Sequence, residues 1–207
     1  MADSLTKMGS FELFGLEPNW SSDISVEHLL SRRMLQYAGT PTTLEDIAPE
    51  IPIALDLEFL CWDKQREFDL ITFFVSKKGQ ANRFWLKHPA AAFTLKTSAS
   101  AGAAGIYCKR NSFDLVWQGY ERVYILMSSG DLVVRKITSC SGGSDYTYIG
   151  FDTVLDRDLM ATNHLRISRM LLGRFSTDKL KIKSSTDLVG RASLSFVELV
   201  KEYSLAD

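Results

Sequence analysis

The sequence lacks the features that mark a disulfide-bonded, zinc-binding or membrane-spanning protein. Its three cysteines, Cys61, Cys108 and Cys140, are far apart and form neither a C-x-x-C pair nor a His/Cys zinc spacing. We therefore expect reduced, mostly buried thiols in a protein made in the cytosol. No apolar run approaches the roughly 18 residues needed to span a bilayer. Residues 1–15 have no cationic start to a long apolar stretch, so we expect no signal peptide.

The sequence also lacks an excess of either charge. It has 24 Lys and Arg against 25 Asp and Glu, a formal net charge of -1 at pH 7. This gives no overall attraction to nucleic acid or to an anionic membrane, so we expect neither a membrane nor a specific nucleic acid as a partner. Hydrophobic residues make up 45% of the chain, which is enough for a sizeable core without metal or disulfides.

The clearest local signal is an amphipathic helix at about 63–78. Asp63 is placed to accept hydrogen bonds from the first turn as an N-cap, and Glu67 lies where the helix dipole favours an acid. Gly79 follows the last turn, where a left-handed residue often ends a helix. Apolar residues recur at spacings of three and four, which predicts one stripe packed on a sheet. The stripe consists of Phe68, Ile71, Phe74 and Val75, broadened by Leu70 and Phe73.

Most of the remaining chain has the pattern of short β-strands. Runs of β-branched and aromatic residues alternate with turn residues, such as the tight hairpin turn at Ser129 and Gly130. Residues 24–30 fit a helix or a strand, and their alternation favours the strand. The predicted strands lie at 24–30, 53–62, 83–86, 93–97, 107–108, 115–117, 122–127, 132–137, 146–149, 166–175, 180–183 and 192–197.

This pattern predicts a β-rich α+β fold, an antiparallel β-barrel or sandwich with one main amphipathic helix and extended arms or loops. We expect residues 1–52 to form an N-terminal arm with the first strands, including an exposed loop at 39–52. Residues 53–207 are expected to form one β-rich core domain. Within it, the small residues at 98–105 predict a flexible linker or a hairpin tip.

One set of residues has the side chains of a cysteine-dependent enzyme. Cys108, with His88 upstream and Asp114 nearby, supplies a nucleophile, a base and an orienting acid. The sequence does not place them together, and such residues occur by chance in most chains of this length. A packed thiol and a surface histidine are therefore favoured, and we predict no catalytic residue.

Two loops resemble ligand sites without matching them. The glycine-rich residues 141–144 lack the phosphate-binding patterns and precede a strand, so a hairpin loop is favoured. Asp152, Asp156 and Asp158, with Arg157 among them, lack the glycine and the glutamate of a calcium-binding loop. Solvated loop charges are favoured, and we predict no metal and no cofactor.

Two further patterns each allow two interpretations. Lys179, Lys181 and Lys183 alternate with apolar residues, which suits either phosphate contact or an edge strand that avoids unwanted pairing. The edge strand is favoured. Trp85 and Trp117 lie in strand-like segments, where tryptophan serves a core or an interface equally well.

A family resemblance depends on the helix and the segment after it. In several tail-tip proteins of long-tailed bacteriophages and gene transfer agents, a helix ending in F-F-x-x-R/K-x-G precedes F-W or F-x-W and a strand. This chain resembles them at Phe73, Phe74, Lys77, Gly79, Phe84 and Trp85. Residues 169–175, Asp178, 186–187 and 196–199 are also similar to C-terminal segments of this group. The sequence departs from the distal tail pattern at 89–93.

The resemblance implies a virion structural protein with a β-rich fold of tail-tube type and no enzymatic activity. Such a protein forms a homo-oligomeric ring that connects the tail tube to the tip or baseplate, as a distal tail or adaptor protein. Its partners are then the tail tube protein and tail hub or fibre proteins, and it resides in the virion tail after assembly in the host cytoplasm.

Three alternatives to this function remain open. A tail hub or terminator protein belongs to the same class. A carbohydrate- or receptor-binding module is the alternative from another class, favoured if Trp85, Trp117, Tyr146 and Tyr148 were exposed in one cleft. A cysteine-dependent hydrolase is the third.

Overall fold

The computed structural model describes residues 7–8, 11–29, 32–35, 43–46, 52–89, 93–111, 113, 122–161, 165–184 and 189–200. These residues form many short strands and one α-helix, so the predicted β-rich α+β class is confirmed. The chain divides into two compact units, Met1–Trp85 with Leu172–Asp207, and Leu86–Leu171. The predicted division at residue 52 stays a prediction.

Strands follow one another through most of the described chain, and the helix α1 (Lys64–Ser76) follows the sixth. The strands are β1 (Lys7–Met8), β2 (Phe11–Glu12), β3 (Ser25–His28), β4 (Arg32–Leu35), β5 (Thr43–Asp46), β6 (Ile53–Cys61), β7 (Phe84–Lys87), β8 (Gly105–Lys109), β9 (Arg122–Leu126), β10 (Leu132–Gly142), β11 (Tyr146–Phe151), β12 (Arg166–Phe175), β13 (Ile182–Ser184) and β14 (Gly190–Glu198).

Most strand predictions are confirmed, with small changes at the ends. Residues 93–97 instead form isolated bridges at Phe93 and Leu95, and the predicted strand at 115–117 lies outside the described residues. The confirmed predictions are those at 24–30, 53–62, 83–86, 107–108, 122–127, 132–137, 146–149, 166–175, 180–183 and 192–197.

The first unit is built on β6, which pairs with β3 on one side and β14 on the other. The second half of β12 pairs with the end of β14, where Phe175 lies opposite Phe196. β13 pairs with the start of β14. All these pairs are antiparallel, and β1–β2 and β4–β5 form two-stranded antiparallel ladders.

A cluster of phenylalanine rings fills the core of the first unit. On β6 every second side chain from Ile53 to Cys61 is buried, as expected for a strand with one face on the core. Ring centroids in the cluster lie 4.8–6.3 Å apart, mostly tilted or edge to face, which aromatic rings prefer over flat stacking. The rings are those of Phe14, Phe59, Phe73, Phe74, Phe84, Phe175 and Phe196.

The helix begins where the sequence predicts. The Asp63 carboxylate accepts a hydrogen bond from the Arg66 backbone N–H at 2.6 Å, which confirms the N-cap. At the other end, Lys78 and Gly79 both have left-handed backbone, with φ of 51° and 59°. The predicted left-handed ending is therefore confirmed, and it extends over two residues.

The predicted apolar stripe of α1 is partly wrong. Leu70, Phe73 and Phe74 are buried, whereas Phe68 is 61% exposed and Val75 is 66% exposed. On a helix Phe68 and Val75 are seven residues apart and share a face, which lies opposite the buried one. The helix thus has apolar residues on two faces, and only one of them packs on the phenylalanine cluster.

The second unit joins its strands through hairpins. The first half of β12 pairs with β9, β9 with β10, β10 with β11, and β11 with β8, all antiparallel. Gly130 closes the predicted β9–β10 turn with φ 88°, and the Met127 N–H donates to the Asp131 carbonyl at 2.9 Å. The core contains aliphatic side chains of these strands with the ring pair Phe93 and Phe113.

Two expectations, one about sheet closure and one about a loop, are wrong for the described residues. The described strands of neither unit close into a barrel, since in the first unit β3 pairs with no strand but β6, and in the second β8 pairs with no strand but β11. Part of the loop predicted at 39–52 is β5, because β4 supplies a pairing partner. Residues 98–105 lead from residues 93–96 into β8, and these two segments pair antiparallel through the Leu95–Cys108 bridge and the Lys96 N–H to Tyr107 O bond at 2.8 Å, so the predicted hairpin tip is confirmed. The backbone of residues 98–105 also bonds to the segment after β11, as in Gly102 N–H to Leu155 O at 2.8 Å and Leu159 N–H to Ala99 O at 2.7 Å.

Candidate functional site

The candidate nucleophile Cys108 lies in the core of the second unit. β8 directs it inward with Ile106, and both are fully buried. Burial raises the pKa of the Cys108 thiol to about 12, so the reactive thiolate is scarce at neutral pH. The His88 carbonyl accepts a hydrogen bond from the Tyr124 hydroxyl at 2.8 Å, and Asp114 lies outside the described residues.

The three aspartates of the acidic loop are held by separate partners. Asp152 accepts a hydrogen bond from the Lys136 backbone N–H at 3.1 Å, and Asp158 accepts one from the Ala101 N–H at 2.7 Å. Asp156 forms ion pairs with arginines Arg135 and Arg157, each at 3.3 Å. Among the described residues, no group of three or more His, Cys, Asp and Glu side chains is placed to hold a metal ion.

The glycine-rich and lysine-rich segments are structural. Ser141 and Gly142 end β10, Gly143 and Ser144 begin the turn to β11, and the Gly143 N–H donates to the Tyr146 carbonyl at 2.9 Å, which confirms the hairpin loop. β13 pairs with β14 alone among the described strands, and Lys179, Lys181 and Lys183 are exposed. The edge-strand interpretation is therefore confirmed for Lys183, whereas Lys179 and Lys181 lie before the start of β13.

The four aromatic residues proposed for a cleft do not gather as a set. Trp85 is fully buried, and Trp117 lies outside the described residues. Tyr146 and Tyr148, in contrast, lie on the outer face of β11 and are half-buried. A residue that the sequence analysis did not single out, Tyr107 of β8, joins them and is 46% exposed.

These three tyrosines form the first of two candidate surfaces, the tyrosine patch (Tyr107, Tyr146 and Tyr148). Tyr107 lies directly opposite Tyr148 across the β8–β11 pair. Its ring centroid is 5.0 Å from that of Tyr148 and 5.4 Å from that of Tyr146. The signal in the sequence is the strand alternation of 105–109, which places Tyr107 on the face opposite Ile106 and Cys108.

Glycines make room for two of the rings. A Cβ on Gly105 would lie 2.6 Å from the Tyr148 hydroxyl, and a Cβ on Gly143 would collide with the Tyr146 ring. The Tyr148 and Tyr146 rings therefore occupy the space that side chains at these glycines would fill. Beside them, the Lys96 ammonium lies 5.5 Å from the Tyr146 ring centroid.

The second candidate surface is the outer helix stripe (Phe68, Ile71 and Val75) on the exposed face of α1. Trp62, the residue before the N-cap, is also 54% exposed. The Arg66 guanidinium lies 3.7 Å from the Trp62 ring centroid, a cation–π contact. Four apolar side chains are thus presented on or beside one short helix.

Comparison with known families and proteins does not assign this chain to a family. No protein-family model matches this chain, and no curated protein matches it either. The helix α1 is too short to cross a membrane, and the described part of the chain contains no other helix that is long and apolar enough to do so.

Proposed function

We propose that this chain is a virion structural protein of a phage tail tip, of the distal tail or adaptor type. It forms a homo-oligomeric ring that connects the tail tube to the tip or baseplate, with tail tube and tail hub or fibre proteins as neighbours. It is assembled in the host cytoplasm into the virion tail, and its role is assembly rather than catalysis.

The residues of the resemblance support a shared fold. Phe73 and Phe84 have ring centroids 5.1 Å apart, and the Phe175 ring lies 4.8 Å from the rings of both Phe74 and Phe84. Trp85 is buried beside them in sequence. Because these side chains build the core, the pattern they form is one that related structural proteins would share for packing.

The outer helix stripe is the observation that carries the ring proposal. Contiguous exposed apolar patches larger than roughly a few hundred Å² are rare on monomeric soluble proteins and mark interaction sites. Phe68 and Val75 are more than half exposed on a helix whose other face already supplies the core contacts. In a closed ring each subunit contacts its neighbour through a different surface of that neighbour, so a convex apolar helix face suits one side of such a contact.

Native mass spectrometry and electron microscopy of the purified full chain test this proposal. We expect ring-shaped oligomers, and we expect the double substitution Phe68→Asp with Val75→Asp to give monomers, because two charges would enter the contact. The fold should survive, since both side chains are exposed; far-ultraviolet circular dichroism checks this. The control is Tyr107→Ala, which removes an exposed aromatic residue of the other unit and should leave the rings intact.

Two results would overturn the proposal. One is a strictly monomeric protein that is also absent from virions purified from the producing cells. The other is a ring that persists unchanged when the outer helix stripe carries both aspartates, which would remove the observation on which the proposal depends.

A further inference from the structure

We infer that the tyrosine patch is a saccharide-binding surface. This inference goes beyond the ring proposal and does not depend on it, because the patch belongs to the second unit and the outer helix stripe to the first. A receptor saccharide bound here would give the protein a recognition role in addition to assembly.

The chemistry of the patch matches both sides of a sugar ring. A pyranose presents C–H groups on its faces and hydroxyls at its edge. Tyrosine offers an apolar ring for the first and a hydroxyl that donates and accepts for the second. Two exposed serines of β10 extend the polar part, because Ser141 lies opposite Tyr148 and Ser139 lies opposite Gly150 in the β10–β11 register.

The patch is ordered before any ligand arrives. The Tyr148 ring occupies the space over Gly105, and the Tyr146 ring occupies the space over Gly143. The Tyr107 ring contacts both of these tyrosines. Side chains already fixed by packing lose little entropy on binding, and preorganisation of this kind raises affinity for small ligands. Tyrosine has few rotatable bonds, which lowers that cost further.

The three rings by themselves are too small a surface to hold a protein partner. An aromatic side chain buries about 150–250 Å² when fully covered, so three of them supply at most about 750 Å². Tyr146 and Tyr148 are already half-buried, and the available area is therefore well below the roughly 800 Å² per partner of a standard protein interface. One or a few sugar rings fit an area of this size.

The charges around the patch argue against a nucleic acid. Single-stranded nucleic acid binds where a positive groove follows the backbone beside the stacking rings. Here the Lys96 ammonium is paired with the Asp145 carboxylate, and Lys109, opposite Tyr146, is the other lysine on this face among the residues that the structure describes. One ion-paired lysine and one further lysine do not make a cationic groove.

The test uses the folded full chain on an array of neutral and acidic oligosaccharides, followed by calorimetric titration of each bound sugar. We expect at least one saccharide to bind, and Tyr107→Ala to weaken its affinity by about tenfold or more, as for a central aromatic contact. Tyr107→Phe should retain the stacking and lose less. The matched control is Phe68→Ala, an exposed aromatic residue outside the patch, which should bind as the unchanged protein does.

The inference is overturned if the folded chain binds no array saccharide at concentrations up to about 1 mM. It is also overturned if Tyr107→Ala leaves the affinity for the saccharide unchanged. A third contrary result is a single-stranded oligonucleotide that binds instead, with an affinity that Tyr107→Ala lowers. Ring formation is measured separately, so failure here leaves the ring proposal standing.

Discussion

The Lys77 ammonium donates a hydrogen bond to the Glu12 carboxylate, and this ion pair involves a buried lysine at the C-cap, the residue directly after α1. Lys77 also lies 5.1 Å from the Phe73 ring centroid. It lies seven residues after the buried Leu70, on the same side of the helix axis, where the periodic pattern predicts an apolar residue. Glu12 of β2 supplies the charge that makes a lysine tolerable there.

Removing this lysine should destabilise the first unit. We expect Lys77→Ala to lower the free energy of unfolding by about 1–3 kcal/mol, because Glu12 loses its partner and Phe73 loses packing. Urea denaturation measures the change. Lys78→Ala is the control, since that neighbouring side chain is exposed. If a double-mutant cycle of Lys77→Ala with Glu12→Gln shows no coupling energy, the ion pair contributes nothing to the free energy of unfolding.

The same helix shows how far the sequence could predict the fold. The Asp63 cap and the strand at Arg166–Phe175 follow from local residue patterns, and both are where the sequence predicts. The face of α1 that packs on the core does not follow from local patterns, because apolar residues recur on two faces of the helix, one that includes Phe68 and one that includes Leu70. Which face packs depends on rings contributed by distant strands. It also depends on the ion pair between Lys77 and Glu12, which are 65 residues apart in the sequence.

The candidate surfaces were harder to predict for a related reason. Tyr107 and Tyr148 lie 41 residues apart and meet only through the register of β8 with β11. Strand alternation predicts which face each side chain occupies, but it does not predict which strands are neighbours. The burial of Trp85 likewise depends on elements distant in the sequence, so the proposed cleft of four aromatic residues could not be tested from the sequence.

Gly79 is needed at the end of α1 for two separate reasons. Its φ of 59° suits glycine, and an added Cβ would lie 2.9 Å from the Asp178 Cα and closer to its carboxylate. That carboxylate also accepts a hydrogen bond from the Gln80 N–H at 2.8 Å. We expect Gly79→Ala to cost about 2–4 kcal/mol, combining backbone strain, a collision and a weakened cap.

Gly102 provides the comparison for this substitution, because its φ is 87° and no atom lies within 4 Å of an added Cβ. Gly102→Ala should therefore cost only the backbone term, about 1 kcal/mol. Thermal and urea denaturation of both variants measure the difference. Equal costs would mean that Asp178 moves aside freely and that the close approach has no energetic role.

Glu58 should make the stability of the first unit depend on pH. The Ser22 hydroxyl and the Asn19 amide donate hydrogen bonds to its carboxylate at 2.7 and 2.8 Å and lower its pKa, with a smaller effect from Arg191. The folded-state pKa lies below the unfolded value of about 4.3. The stabilisation is thus fully present above that pH and is lost as the pH falls through the folded-state pKa.

We expect Glu58→Gln to destabilise the protein by about 1 kcal/mol at neutral pH, since the carboxylate is partly solvated. The difference from the unchanged protein should shrink as the pH falls below about 4. Urea midpoints at several pH values measure this. Glu27→Gln, on the exposed strand β3, is the matched control. A constant difference across the range would contradict the assigned hydrogen bonds.

Cys108 should behave as a packing residue and not as a nucleophile. Its pKa of about 12 leaves almost no thiolate at pH 8, so we expect iodoacetamide to label it only when the chain unfolds. Cys140 is partly exposed and should react first in the folded protein, as peptide mass mapping would show.

Because the folded-state pKa of Cys108 is raised above the unfolded value near 8.5, the protonated thiol favours the folded state below that pH, and this advantage declines as the pH rises. Cys108→Ala should cost about 1 kcal/mol for the lost packing and leave ring formation and saccharide binding unchanged. Fast labelling of Cys108 in the folded chain, or loss of a hydrolytic activity in Cys108→Ala with the fold intact, would instead favour the cysteine-dependent enzyme.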